Sequence, residues 1–118
     1  MELEKTKIIF FGTPKFSDII LKRLIEEKIN PVLVVTCPDK PVGRKQTITP
    51  SPVKKTAKRN NIKISQPEDI KEIEEEIKEI NPDLIVTAAC GKILPKELLE
   101  IPKYGCLNLH PSLLPKYR

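Results

Sequence analysis

The chain has 118 residues and a mass of 13.4 kDa, about the size of one domain. With 39% hydrophobic residues it can build an apolar core, so we do not expect a disordered chain. Its net charge of +5 is compatible with an anionic partner but identifies none. Three cysteines without a Cys-x-x-Cys pair predict neither a zinc site nor a disulfide framework. The sequence has no signal-peptide pattern and no apolar run of membrane-spanning length, so we expect a cytoplasmic protein without a membrane partner.

The first part of the chain predicts a strand, a helix and a second strand. Residues 7–12 form a continuous apolar run, as expected of a strand buried on both faces. Thr13 and Pro14 fit the N-cap and the first position of a helix. The inward face of this helix is predicted from apolar residues at helical spacing: Phe16, Ile19, Ile20 and Leu24. Residues 32–36 predict the second strand, which makes the unit a crossover of a parallel sheet.

The middle of the chain predicts a long exposed loop and a basic helix. Residues 37–51 combine three prolines with a glycine and several charged residues, which is typical of a loop. Ser51 and Pro52 then begin a helix with Val53 and Ala57 inward. Its basic side chains are predicted to face outward: Lys54, Lys55, Lys58 and Arg59. Residues 62–65 predict a weak third strand.

The remainder of the chain continues the alternation of helix and strand. Residues 68–80 predict a helix with isoleucines on its inner face and glutamates on its outer face. Residues 83–89 and 106–109 predict strands, with Cys106 in the core, and residues 96–99 predict a short helix. This order predicts an α/β fold that is Rossmann-like, with a mostly parallel open sheet and helices on both faces.

The candidate catalytic residues follow the last predicted strand. Asn108 and His110 are two positions apart, so strand alternation places both side chains on the same side. Asn offers an uncharged donor to a developing oxyanion, and His can donate, accept or change charge near neutral pH. The pair therefore fits acyl or formyl transfer. On spacing alone, a structural role at the end of the strand is the favoured alternative.

A longer motif around this pair carries a family resemblance. Its eight residues are consecutive: Asn108-Leu109-His110-Pro111-Ser112-Leu113-Leu114-Pro115. The motif resembles the signature of the folate-dependent formyltransferases. The resemblance implies that Asn108 and His110 act in metal-free formyl transfer from 10-formyltetrahydrofolate to an amine. It also implies folate binding by six residues: Ser112, Leu113, Leu114, Pro115, Ile93 and Leu94.

Four further stretches resemble the members of this family that formylate the amino group of initiator methionyl-tRNA. They are residues 11–16, 38–44, 50–54 and 91–95, and the resemblance as a whole extends over residues 7–118. The Gly-, Ser- and Asn-rich phosphate loop of the members that act on glycinamide ribonucleotide is absent after the first strand. Cys90 stands where the family usually has a Tyr that lines the folate pocket. Apart from this departure, the four stretches and the absent phosphate loop imply, by resemblance, formylation of methionyl-tRNA.

The positive charge is concentrated in one segment. Residues 37–63 contain eight Lys or Arg and a single acid, Asp39, for a net charge of +7, whereas residues 64–82 carry −5. A basic loop beside a basic helix attracts a phosphate backbone. In the tRNA-acting members the matching loop contacts the tRNA, which implies tRNA binding by Lys40, Arg44 and Lys45. For the helix at residues 54–59 we favour a solvated face.

The length of the chain departs from the family. Family members continue past such a segment with further strands, a catalytic Asp that pairs with the motif His and, in the tRNA-acting members, a C-terminal barrel. By resemblance, residues 1–118 are the N-terminal portion of the catalytic domain, a truncated form of the formyltransferase fold. An imidazole without its carboxylate loses control of its tautomer and charge, so we expect the chain alone to be inactive. An uncovered sheet edge also predicts self-association of this fragment.

Three alternatives remain open at this point. In the first, the chain belongs to a related folate-dependent formyltransferase that acts on another amine. In the second, it belongs to a formyl-folate hydrolase. In the third, it is a folate- or RNA-binding module without catalysis. Salt-sensitive binding of initiator tRNA would favour the tRNA-acting enzyme.

Overall fold

A five-stranded parallel sheet forms the centre of the computed structural model, which describes residues 5–13, 15–42, 47–88 and 94–109. In chain order the elements are β1 (Ile8–Gly12), α1 (Lys15–Glu26), β2 (Leu33–Val35), β3 (Lys40–Val42), β4 (Thr47–Thr49), α2 (Pro52–Arg59), β5 (Ile64–Ser65), a 3₁₀ helix (Ile70–Ile73), α3 (Glu74–Ile80), β6 (Leu84–Ala88), α4 (Lys96–Leu99) and β7 (Cys106–Leu109). The strand order is β5-β2-β1-β6-β7, and each neighbouring pair is parallel. The predicted parallel α/β sheet is confirmed.

The central strand β1 is buried on both faces and divides the core in two. Ile8 and Phe10 belong to the apolar cluster on one face, and Ile9 and Phe11 to the cluster on the other. Helices α1 and α2 cover the first face, while the 3₁₀ helix, α3 and α4 cover the second. The helical residues that complete the two clusters are buried: Leu21, Val53 and Ala57 on the first face, and Ile73, Ile77 and Leu98 on the second. Helices on both faces explain why the β1 sequence is a continuous apolar run.

The second half of the chain follows the predicted elements closely. Helix α4 and strand β7 occupy the predicted residues 96–99 and 106–109. The helix predicted over residues 68–80 begins two residues later, as a 3₁₀ turn, because the Asp69 side chain accepts a 3.0 Å hydrogen bond from the Lys71 amide and so caps it. It ends at Asn81, whose φ of 54° is left-handed.

The segment predicted as one exposed loop instead contains a β-hairpin. Strands β3 and β4 pair antiparallel, with Lys40 opposite Thr49 and Val42 opposite Thr47. The β-branched residues Thr47, Ile48 and Thr49 favour extended structure, whereas the prolines and glycine around them indicated a loop. The loop prediction is therefore wrong for these two strands, and the four residues that join them lie outside the described residues.

Helix α1 packs three of its four predicted inward residues, Phe16, Ile20 and Leu24, against the core, but not the fourth. Ile19 is 57% exposed, whereas Leu21 is fully buried. The buried stripe also includes Ser17 and Asp18, whose polar side chains are bonded to other elements. The predicted inward face is therefore confirmed for three residues and wrong for Ile19, because apolar spacing takes no account of buried polar residues. Pro14 lies outside the described residues, and α1 begins at Lys15.

Gly12, the last residue of β1, allows α1 to pack closely against the sheet. A Cβ atom on Gly12 would lie 2.5 Å from Ser17 Cβ and 3.0 Å from the Ala88 carbonyl oxygen. Gly12→Ala is therefore expected to lower the free energy of unfolding by about 1–3 kcal/mol, as measured by urea denaturation. Adding Ser17→Gly removes the clashing Cβ and is expected to recover part of that loss. An unchanged unfolding midpoint for Gly12→Ala would contradict this packing.

Candidate functional site

The order of the strands reverses between β1 and β6. From β1 the chain moves outward to β2 and β5, and it then returns to β6 and β7 on the other side. In open parallel sheets, ligands bind at the carboxyl ends of the strands next to such a reversal. Here those ends are Gly12 and Ala88, which are paired in register, and Ser17 Oγ donates a hydrogen bond to the Ala88 carbonyl. This edge of the sheet is the candidate site.

Asn108 lies near the same edge, on β7 beside β6. It is paired in register with Thr87, and its side chain is exposed. Thr87 Oγ1 donates a 2.9 Å hydrogen bond to Asn108 Oδ1. This bond engages the amide oxygen and so directs Nδ2, the donating end of the amide, away from Thr87. A fixed N–H donor at the carboxyl edge of a sheet can stabilise a negative oxygen that develops during a reaction.

Three hydroxyl side chains join the ends of β1 and β2 to the beginning of α2. Thr36 Oγ1 donates to Thr13 Oγ1 at 3.2 Å and lies 3.1 Å from Ser51 Oγ. The Thr13 hydroxyl also accepts a 3.1 Å hydrogen bond from the Cys37 amide. Ser51 caps α2 by accepting from the Lys54 amide at 3.1 Å, which confirms the predicted cap. The cluster fixes both ends of the segment that contains the hairpin.

Asp39, which directly precedes β3, is held by two side chains. Lys54 Nζ lies 2.9 Å from Asp39 Oδ2 and 3.2 Å from Oδ1. Gln66 Nε2 donates to Asp39 Oδ1 at 2.8 Å and to the Cys37 carbonyl at 3.1 Å. The hydrogen bond from Gln66 and then that from Lys54 lower the pKa of Asp39 below its usual value. Lys54 is therefore partly buried and paired, so the prediction that it faces outward is wrong.

The structure places one of the two predicted catalytic residues and one of the predicted folate-binding residues. Asn108 lies at the candidate site, while Leu94 is partly buried against the apolar cluster that includes Phe11. Lys40 is described only by its backbone, in β3. The other predicted site residues lie outside the described residues: His110, Ile93, Ser112, Leu113, Leu114, Pro115, Arg44 and Lys45. Cys90 also lies outside them.

Sequence reasoning missed Thr87, Ser17 and the pairing of Asp39 with Lys54. Thr87 carried a signal, because it is a polar residue near the end of an otherwise apolar strand. Asp39 carried another, because it is the only acid in residues 37–63. Neither feature indicates which residue the side chain bonds to. That residue is 21 positions away along the chain for Thr87 and 15 positions away for Asp39.

The cysteines in the described ranges are free thiols. Cys37 is partly buried in the segment before β3. Cys106 is exposed, so its predicted place in the core is wrong; the reason is that β7 is the last strand in the sheet order. Desolvation by its neighbours raises the pKa of the Cys106 thiol above its usual value, so this thiol is protonated at neutral pH.

The described part of the chain contains neither a cluster of metal ligands nor a membrane-spanning helix. No group of three or more His, Cys, Asp or Glu side chains in it is placed to hold a metal ion. None of the helices in those ranges is long and apolar enough to cross a membrane.

Comparison with known proteins identifies the family. A family model described as formyl transferase matches residues 6–118. The chain belongs to the formyl transferase family. Among curated relatives, this formyl transferase chain is 58% identical over 115 residues to the methionyl-tRNA formyltransferase of Caldicellulosiruptor saccharolyticus, covering 94% of the chain and 37% of that relative. It is 55% identical over 115 residues to that of Bacillus subtilis, covering 96% of the chain and 36% of the relative.

Two solved structures share the fold of this chain. Glycinamide ribonucleotide transformylase 1 from Geobacillus kaustophilus superposes with a TM-score of 0.64 at 21% identity, covering 96% of this chain and 62% of that one. Phosphoribosylglycinamide formyltransferase from Bacillus halodurans gives a TM-score of 0.63 at 18% identity, covering 94% and 59%. Compared with its curated relatives, this formyl transferase chain spans a little over a third of their length.

Proposed function

We propose that this chain is part of an enzyme that transfers a formyl group from 10-formyltetrahydrofolate to the amino group of initiator methionyl-tRNA. The observation that carries the proposal is the Asn108 amide, which Thr87 holds at the carboxyl edge of the sheet, near the reversal of strand order. The relatives named methionyl-tRNA formyltransferase, at 58% and 55% identity, support the choice of amine substrate. We place this activity in the cytoplasm.

Asn108 and His110 divide the chemistry between them. As the amine nitrogen attacks the formyl carbon, a C–N bond forms and the formyl oxygen becomes an oxyanion, which Asn108 Nδ2 stabilises by donating a hydrogen bond. His110 takes the proton that the amine loses and passes it to N10 of the folate. The bond between N10 and the formyl carbon then breaks, which releases the formylated amine and tetrahydrofolate. Formyl transfer of this kind involves no redox change.

The folate is proposed to bind along the same edge of the sheet. The residues assigned to it by the family motif are Ile93, Leu94, Ser112, Leu113, Leu114 and Pro115. We further propose that residues 1–118 form the N-terminal portion of the catalytic domain, because the chain covers only 37% and 36% of the length of its relatives. On its own the chain is expected to show little turnover.

The experiment that tests the function is a chimera. In it, this chain replaces the matching residues of the Bacillus subtilis relative, with which it shares 55% identity over 115 residues. The chimera is expected to transfer labelled formyl groups from 10-formyltetrahydrofolate to initiator methionyl-tRNA. A folded chimera that binds folate but transfers no formyl group would contradict the proposed function.

Lys40, Arg44 and Lys45 are proposed to bind the tRNA backbone. Counterion release then makes tRNA affinity fall linearly with salt on logarithmic scales. Arg44→Ala is expected to weaken binding and to reduce the slope by roughly one, as measured by fluorescence anisotropy over a KCl series. A salt-independent affinity, or an unchanged slope for Arg44→Ala, would contradict the role of these residues.

Self-association of the isolated chain is proposed to occur through β7. This strand is the last in the sheet order, and two large apolar side chains near it are exposed: Tyr104 at 52% and Leu107 at 48%. Edge strands with exposed apolar residues pair readily with a second chain. Light scattering is expected to detect dimers or larger species of the chain, and Leu107→Lys is expected to shift them to monomer. A monomer at high protein concentration would refute this proposal.

A further inference from the structure

The hairpin of β3 and β4 is held at its base by side chains from outside it. Asp39 directly precedes β3, and Lys54 and Gln66 bind its carboxylate from α2 and from the residue after β5. We call these three residues the brace. Gln66 also donates to the Cys37 carbonyl, so it holds the backbone of the segment that leads into β3 as well as the Asp39 carboxylate.

The far end of the hairpin is fixed to the same helix. Ser51 follows β4 by two residues and caps α2 at the Lys54 amide. Lys54 is thus the meeting point of both ends: its amide donates to Ser51, and its ammonium group donates to Asp39. A charged hydrogen bond is stronger than a neutral one, and here it is also partly shielded from solvent.

The brace also affects which charged side chains of the basic segment, residues 37–63, can contact RNA. Asp39 is the only acid among residues 37–63, and its carboxylate is engaged by Lys54 at two oxygens. The Lys54 ammonium group is paired with Asp39 and partly buried, whereas Lys55 on the same helix is exposed. An acid in a basic segment would repel a phosphate backbone, so its presence there calls for a role other than direct contact with RNA.

We propose that Asp39, Lys54 and Gln66 are positioning residues that fix the hairpin on the domain, and that they thereby set the affinity of its basic residues for tRNA. This inference rests on the proposed tRNA-binding function. The three side chains contact no substrate themselves. They act by limiting the orientations of β3 and β4, so that less conformational freedom is lost when RNA binds.

Substitution of Asp39 separates this role from simple electrostatics, because the two predict opposite signs. Asp39→Ala removes a negative charge from a basic segment, and electrostatics alone would make tRNA binding tighter. Loss of the brace instead makes binding weaker, by about tenfold, because charged hydrogen bonds that hold the hairpin are lost. Asp39→Asn keeps an acceptor for Gln66 and is expected to fall between Asp39→Ala and the parent chain.

Lys54→Met and Lys55→Met form a matched pair. Each removes one positive charge from the same helix, but only Lys54 belongs to the brace. Lys54→Met is expected to weaken tRNA binding at least as much as Asp39→Ala. A double variant that combines Asp39→Ala with Lys54→Met is expected to bind no more weakly than Lys54→Met alone, because both single changes break the same bond. Lys55→Met is expected to change the affinity less than about threefold.

Hydrogen exchange without RNA tests the brace apart from the proposed function. The amides of β3 and β4 are expected to exchange faster in Asp39→Ala and Lys54→Met, while those of β1 and β6 keep the rate of the parent chain. Unchanged protection in β1 and β6 also shows that the variants fold. If the parent chain fails to bind tRNA, the tRNA-binding role proposed for Lys40, Arg44 and Lys45 is contradicted, and the exchange rates alone decide whether the brace holds the hairpin.

The result that supports the inference is faster exchange in the hairpin together with weaker tRNA binding by Asp39→Ala. Faster exchange with unchanged or tighter tRNA binding would overturn the role in RNA affinity. Unchanged exchange in β3 and β4 would overturn the brace itself. An equal loss of affinity in Lys54→Met and Lys55→Met would likewise overturn it, because charge alone would then account for both.

Discussion

Replacement of Asn108 by alanine in the chimera is expected to lower kcat/KM for formyl transfer by about two to three orders of magnitude. Asn108 Nδ2 is the donor that we assign to the developing oxyanion, and its amide is already oriented by Thr87 in the absence of substrate. A donor that needs no reorganisation stabilises the transition state more than the ground state. The loss is therefore expected in kcat, with little change in the KM for folate.

Two further variants show whether the donor itself is responsible. Asn108→Asp keeps the size of the side chain but places a negative charge beside the oxyanion, so it is expected to be at least as damaging as Asn108→Ala. Thr87→Val removes the hydroxyl that holds the Asn108 amide and is expected to lower kcat by about tenfold, the value of one hydrogen bond. Full activity of Asn108→Asp would show that Asn108 is not the oxyanion donor.

Leu21→Ala is expected to lower the free energy of unfolding by about 2–5 kcal/mol, while Ile19→Ala changes it by less than about 0.5 kcal/mol. Leu21 is fully buried in the cluster that includes Phe10, and Ile19 is 57% exposed on the same helix. Alanine at position 21 therefore leaves a cavity, whereas alanine at position 19 removes only exposed apolar surface. Urea denaturation of both variants measures the difference.

The two substitutions also test Ile19, the predicted inward residue of α1 that the structure leaves exposed. Apolar spacing placed Ile19 in the core. If Ile19→Ala proved the more destabilising of the two, the packing of α1 described above would be wrong.

Much of the sheet could be predicted because buried parallel strands have a distinctive sequence. The apolar run of β1 and the largely apolar run of β6 are typical of strands covered on both faces, and both strands lie where they were predicted. The inward face of α1 could be predicted only in part, because Phe16, Ile20 and Leu24 pack against the core but Ile19 is exposed. Its buried stripe includes Ser17 and Asp18, which are buried because Ser17 bonds to the Ala88 carbonyl and Asp18 to Thr56.

The hairpin and the contacts of the site depend on tertiary structure. The composition of residues 37–51 indicates a loop, and only the paired backbones reveal β3 and β4. The position of Asn108 at the end of a strand could be predicted, since it follows an apolar run. Its bond to Thr87 could not, because that bond depends on the register between β6 and β7.

The most direct test of the proposed function is formylation of initiator methionyl-tRNA by the chimera and by its Asn108→Ala variant. Both are supplied with 10-formyltetrahydrofolate carrying a labelled formyl group, and the label on the tRNA is counted over time. We predict transfer by the chimera and a loss of about two to three orders of magnitude in the variant, with the same circular dichroism spectrum. Equal rates for the two proteins would contradict the assignment of the site.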